Sequence, residues 1–177
     1  LCPRRRLLVG GGAGGWWPTW RGWRVWGRPA TAASPAPRGL GKTDLACAIA
    51  DRACRRGHTA LYKRVSRLIF ELSLARADGS YLKTLEKIAR TDVLILDDWG
   101  LAALDAQAAR DVMDVIDDRA GVRSTIVTSQ LPVPQWLGLI AAPSIADALL
   151  DRLVHRSVRT ELKGGSMANE TPKRPRK

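Results

Sequence analysis

Four apolar residues in a row, Val93-Leu94-Ile95-Leu96, run straight into two carboxylates, Asp97-Asp98. A run without alternation is buried on both faces, as strands in the middle of a parallel sheet are. Two adjacent acids repel each other unless a cation stands beside them. The stretch therefore calls for a layered α/β chain with a charged partner at the carboxyl end of a central strand. A solvated turn after a strand is the plainer reading of the pair, and it explains the two charges poorly.

About 54 residues upstream of Asp97 lies Arg38-Gly39-Leu40-Gly41-Lys42-Thr43. A G-x-x-x-x-G-K-[ST] loop needs small residues so that backbone N–H groups can turn onto phosphates. It also needs a Lys to reach the β and γ oxygens and a hydroxyl to hold Mg²⁺. Gly39, Gly41, Lys42 and Thr43 supply the second half as candidate nucleotide-binding residues. The first Gly of the pattern falls at Ala36, followed by Pro37. Alanine takes a positive φ at a cost of about 1–2 kcal/mol.

The remaining periodicity alternates strand with helix. Leu45, Ala46, Ile49, Ala50 and Ala53 make one helical face, stopped at Gly57. Thr59 to Val65 reads as a short strand, Arg67 to Arg76 and Tyr81 to Arg90 as two helices. Asp105 is placed to cap a helix whose face is Ala109, Val112, Met113 and Ile116. Arg123 to Thr128 is a second buried strand, closed by Ser129-Gln130 and broken by Pro132 and Pro134. Ile145 to His155 is a helix and Val158 to Leu162 a last strand. The order predicts a doubly wound α/β fold of the P-loop NTPase type, a parallel sheet flanked by helices with ligand at the carboxyl ends of the strands.

In that geometry Asp97 would hold Mg²⁺ directly or through water, with Thr43 as the other metal-binding residue. Asp98 would orient or deprotonate the water that attacks the γ-phosphate. Thr128, Ser129 and Gln130 leave the next strand where P-loop ATPases keep a polar group that senses the γ-phosphate. Which of the three does so stays open, as does a simple strand-exit turn.

Net charge is +12, but it sits at the ends. Residues 1–37 hold six Arg and no acid, and residues 167–177 hold four basic residues against Glu170. Basic ends favour polyanions without reading sequence. Residues 1–35 carry five Trp within eleven residues, interleaved with Gly, Arg and Pro, and show no period. Trp with Arg could stack on single-stranded bases, but a shifted reading frame yields the same composition. We expect 1–35 to be disordered or frameshift-derived, 36–166 to be the ATPase core and 167–177 a basic disordered tail. Three Cys without a C-x-x-C pair (Cys2, Cys47, Cys54) argue for reduced thiols and a cytoplasmic protein. No apolar run reaches the roughly 18 residues of a membrane span.

Four blocks in order carry a family resemblance: Asp92-Val-Leu-Ile-Leu-Asp-Asp-Trp-Gly-Leu101, Arg123-Ser-Thr-Ile-Val-Thr-Ser-Gln-Leu-Pro132, Asp147-Ala-Leu-Leu-Asp-Arg-Leu-Val-His155 and Glu161-Leu-Lys-Gly-Gly-Ser-Met167. They resemble the IstB-type helper ATPases of insertion sequences, in the AAA+ clade of helicase loaders. The resemblance implies ATP and Mg²⁺ as cofactors. It also implies double-stranded DNA and a cognate transposase as partners, and assembly as a homo-oligomer. It maps Asp97 and Asp98 to Walker B, Thr128 to Gln130 to sensor 1, and Arg152 to an arginine that reaches a neighbouring subunit's γ-phosphate. Arg152 beside Asp151 also fits an exposed ion pair. Trp99 is either packing beneath the Walker B turn or a contact surface.

The stretch Arg28-Pro-Ala-Thr-Ala-Ala-Ser-Pro-Ala-Pro37 departs from the family's apolar first strand. Its prolines lack ladder donors, so the first strand is expected to be defective and nucleotide affinity impaired. The chain reads as N-terminally truncated or frameshifted. The function expected is an ATP-binding and hydrolysing helper of transposition. A replicative helicase loader and a non-catalytic DNA-binding remnant are the alternatives.

Overall fold

The computed structural model describes residues 41–154 and Ser157 in full, and the backbone of 31–35 and 158–159. Expectations for residues 1–30, 36–40, 155–156 and 160–177 lie outside the described residues. Within them, five strands form one parallel sheet: β1 (Thr31–Pro35), β2 (Ala60–Arg64), β3 (Val93–Trp99), β4 (Ser124–Ser129) and β5 (Ser157–Arg159), in the spatial order β2-β3-β4-β1-β5. Five helices cover it: α1 (Lys42–Cys54), α2 (Val65–Ala77), α3 (Tyr81–Ala89), α4 (Ala106–Asp117) and α5 (Pro143–Val154).

Side-chain parity divides the core in two. On β3, Val93 and Ile95 meet Ala46, Ala50 and Ala53 of α1 together with Ile126 of β4. Leu94 and Leu96 point the other way, into a larger core with Leu68 and Leu72 of α2, Ile88 of α3, Val112 and Ile116 of α4, and Leu149 and Leu153 of α5. The unbroken apolar run thus serves both layers, as its sequence demanded. The face that α1 turns to the sheet is alanine, and small side chains let a helix lie close to what it packs on. Its first turn is thereby held near the carboxyl ends of β3 and β4.

The connection after β1 crosses on the α1 face, and that after β4 crosses on the opposite face. Neighbouring strands whose connections leave on opposite sides open a crevice at their carboxyl ends, where ligands of open α/β sheets sit.

β1 corrects the expectation of a defective first strand. Thr31 to Pro35 pair in register with Thr125 to Ser129, and Thr31 to Ala33 pair with β5. The reason is positional. Thr31 to Ser34 all carry N–H groups, and Pro35 is the last residue of the strand, where a missing donor disturbs the ladder least. The sheet therefore begins ahead of residue 36. Of the thiols among the described residues, Cys54 is free and exposed, in keeping with the expectation for it.

The segment after β4 does more than break the chain. Pro132 leads into two short 3₁₀ turns, Val133–Gln135 and Leu137–Leu139, which fold Trp136 into the core with no exposed surface. Trp136 donates its indole N–H to the Leu131 carbonyl at 3.0 Å, and its ring lies 5.4 Å from that of Trp99. Trp99 is packing beneath the β3 turn, only 2% exposed. Arg119, just past α4, is buried too. Its guanidinium donates to the carbonyls of Ile88, Thr91 and Ser124 and to the Thr125 hydroxyl, which ties α3, β3 and β4 together at the amino ends of the strands. Burial lowers its pKa to about 10, and it remains cationic at neutral pH.

Candidate phosphate and metal site

α1 starts directly on Gly41, which sits in the left-handed region with φ 72° and makes no side-chain cap. Glycine adopts that conformation without steric cost, and the first-turn N–H groups of α1 have no intrahelical acceptor. Lys42 and Thr43 are the first two residues of the helix, and both are half-buried. Gly39 lies outside the described residues.

Parity decides what meets Thr43. Asp97 continues the Val93, Ile95 row of β3 and Thr128 the Ile126 row of β4, so both point to the α1 face. Tyr62 of β2 lies on that face as well, its ring packed against the alanine cluster. Three hydroxyls converge on the Asp97 carboxylate, which is 3% exposed. Thr43 Oγ1 donates to both oxygens, 3.0 Å from each. Tyr62 donates to Oδ2 at 2.6 Å, and Thr128 donates to Oδ1. Burial, and next the hydrogen bond to Asp97, push the Tyr62 hydroxyl above its ordinary range, so it stays a donor.

Asp98 is turned elsewhere. Leu96 pairs with Val127 but Trp99 pairs with Ser129, so β3 carries an extra residue there. Asp98 sits in this bulge with φ 60°. A bulge re-aims side chains: Trp99 drops into the larger core while the Asp98 carboxylate comes out half-exposed, 3.8 Å from Arg64 Nε. The Asp98 amide donates to Thr128 Oγ1 at 3.4 Å. Gly100 completes the turn at φ 82°, where a Cβ would stand 2.9 Å from Leu139 Cδ1.

Of the three residues expected at the exit of β4, Thr128 touches both acids. Ser129 points the other way, donating to the Trp99 carbonyl at 2.8 Å and accepting from the Leu131 amide at 3.0 Å. Gln130 is half-buried at the strand exit. Arg152 is not brought to this site. It pairs with Asp117 at the far end of α4 and donates to the Ala148 carbonyl. Because α4 leaves the carboxyl end of β3 and ends just before β4 begins, that pair lies at the opposite edge of the sheet. Sequence reasoning missed Tyr62. Strand alternation through Ala60, Tyr62 and Arg64 would have placed it on the Asp97 face once the β2–β3 register was known.

The donor set fits Mg²⁺. One buried carboxylate and one hydroxyl, all oxygen, are what that ion takes from a protein when phosphates and water complete its shell. Among the described residues no group of three or more His, Cys, Asp or Glu forms a metal cage of its own. No helix among them is long and apolar enough to cross a membrane.

A family model described as IstB-like ATP binding protein matches residues 33–174. Among curated proteins, y4pL of Sinorhizobium fredii (strain NBRC 101917 / NGR234), described as an insertion sequence ATP-binding protein, is 50% identical over 131 residues, 74% of this chain and 54% of its own length. The ATP-binding protein of insertion sequence IS1162 from Pseudomonas fluorescens is 59% identical over 96 residues, 54% of this chain and 42% of its own length. The chain thus spans about half the length of the curated relatives it matches. The DnaC helicase loader superposes with a TM-score of 0.64 at 21% identity, over 76% of this chain and 78% of that one. The replication initiator DnaA, bound to AMPPCP and single-stranded DNA, superposes with a TM-score of 0.65 at 18% identity, over 77% and 41%. At such identities the likeness shows the fold, that of a P-loop AAA+ protein, and nothing finer.

Proposed function

This chain belongs to the IstB-like ATP-binding protein family, and from that premise we propose that it binds and hydrolyses ATP with Mg²⁺ at the carboxyl ends of β3 and β4. We further propose that, as a homo-oligomer in the cytoplasm, it binds duplex DNA and helps a transposase select its target. The observation that carries the ATP reading is the Thr43 hydroxyl, which lies midway between the two oxygens of Asp97 across 54 residues of sequence. Two separate halves of a nucleotide site meet there.

Lys42 and the first-turn N–H groups of α1 bind and orient the β and γ phosphates. Thr43 and Asp97 are the residues that would hold Mg²⁺, whose charge neutralises the phosphate oxygens. Asp98, out in the half-exposed bulge, orients the attacking water and takes its proton. The new bond joins the water oxygen to the γ-phosphorus, and the bond to the β-phosphate oxygen breaks. Thr128, bonded to Asp97 and to the Asp98 amide, reports on both acids, which makes it the sensor among the three residues at the exit of β4.

Calorimetric titration of the full chain with ATP and Mg²⁺ tests the reading. Binding is expected in the wild type and lost in Lys42→Ala, while Asp98→Asn keeps binding and loses turnover. Unchanged affinity in Lys42→Ala would overturn the site. Duplex DNA binding is expected to require ATP. Affinity that is indifferent to ATP and falls with salt at a log-log slope of about 0.9 per phosphate contacted would favour a DNA-binding remnant. Co-purification with a replicative helicase in place of a transposase would favour a helicase loader.

A further inference from the structure

We infer that Tyr62 is a positioning residue of the nucleotide and metal site, its hydroxyl fixing which edge of the Asp97 carboxylate is presented to the cation. The inference rests on the reading of Asp97 and Thr43 as the metal-holding pair.

A carboxylate on a short side chain can rotate about its terminal bond, so one oxygen edge faces a ligand only if donors hold the others. Here the two strands flanking β3 each take one oxygen. Tyr62 of β2 holds Oδ2 at 2.6 Å, and Thr128 of β4 holds Oδ1. Thr43 is left on the edge between them, 3.0 Å from each oxygen. That shared edge is where a cation coordinated by both groups belongs.

The identity of residue 62 follows from the register. Tyr62 pairs with Ile95, so Asp97 lies two residues further along the neighbouring strand. Aromatic and other long side chains bridge such a diagonal, and short hydroxyl side chains do not. The Tyr62 ring is packed against the core beneath α1, which sets its direction and leaves the hydroxyl as the only group that touches the acid. Donors behind a metal-ligating carboxylate fix its orientation, and losing one typically costs about 10-fold to 100-fold in metal affinity.

Tyr62→Phe removes that one oxygen and keeps the packed ring. ATP affinity of the full chain is measured by calorimetry in EDTA and across a Mg²⁺ titration, with the thermal midpoint recorded alongside. The Mg²⁺ concentration that gives half of the affinity gain is expected to rise about 10-fold to 100-fold, with affinity in EDTA and the thermal midpoint unchanged. A Mg²⁺ dependence identical to that of the wild type overturns the inference. So does an equal loss in EDTA and in Mg²⁺, which marks a structural role alone. If wild-type affinity is itself indifferent to Mg²⁺, the metal reading of Asp97 and Thr43 fails and takes the role of Tyr62 with it. The wild-type titration therefore separates the two failures.

Discussion

Among the described residues Asp98 is the single non-glycine with a positive φ, 60°. A left-handed backbone costs an L-residue about 1–2 kcal/mol, and here it is held by Trp99 buried beneath the turn and by the Asp98 amide on Thr128. Asp98→Gly is therefore expected to raise unfolding free energy by about 1 kcal/mol while abolishing ATP turnover. Urea denaturation read beside the turnover assay checks this, and a fall in stability would show that the position carries no strain. Both acids and the separate roles expected of them were legible in the sequence; the backbone geometry that parts them was not. Simple alternation puts neighbours on opposite faces, but only the bulge sends Asp98 outward and Trp99 inward. Arg119 was illegible for a similar reason. After Asp117-Asp118 it reads as surface charge, and its burial depends on four acceptors gathered from 31 residues upstream to six downstream.

Between Ala60 and Val154, the expected strands and helices came through with ends displaced by a residue or two, because apolar period is a local property. β1 and the two 3₁₀ turns did not. Thr31 to Pro35 has no apolar pattern, and it becomes a strand because β4 and β5 offer ladder partners on both sides. The start of β3 is tied down differently. The Asp92 carboxylate accepts from the Thr59 amide and hydroxyl, at 2.8 Å each, and from Arg123 at 2.6 Å, joining the approaches to β2, β3 and β4. Those bonds, the Thr59 amide first, hold its pKa below the ordinary carboxylate value. A carboxylate depressed in the fold contributes stability above its unfolded pKa, about 3.9, and loses it as pH falls through the folded value. Asp92→Asn should therefore be less stable than wild type near pH 6, with the gap closing below about pH 4. Denaturant midpoints across that range measure it, and a gap independent of pH would remove the carboxylate from the latch.

For the molecule as a whole, the order β2-β3-β4-β1-β5 fixes the two ends of the sheet. The acids, Thr43, Tyr62 and Thr128 occupy the carboxyl end. Arg152 sits at the other, paired with Asp117, the two side chains 35% and 43% exposed. It cannot serve its own nucleotide from there, so any role in hydrolysis is on a neighbouring copy. An exposed pair contributes at most about 1 kcal/mol to stability. Arg152→Ala should accordingly fold and bind ATP as the wild type does, yet lose turnover by about 10³-fold. If the proposed homo-oligomer builds its sites between copies, the variant should also lose the rise in specific activity with protein concentration expected of the wild type. Steady-state turnover over a dilution series checks this, and unchanged turnover would reduce Arg152 to an ion pair. By itself the sequence determined the layered α/β class and the central strand, and it singled out Lys42, Thr43, Asp97 and Asp98 as candidates, because burial pattern and charge spacing are written along the chain. Tertiary structure alone decided that β1 forms and that Asp97 is gripped by hydroxyls from three elements. It alone also decided that Asp98 turns outward and that Arg152 lies at the far edge. Each of these depends on strand register and crossover side, which pairing between distant segments sets.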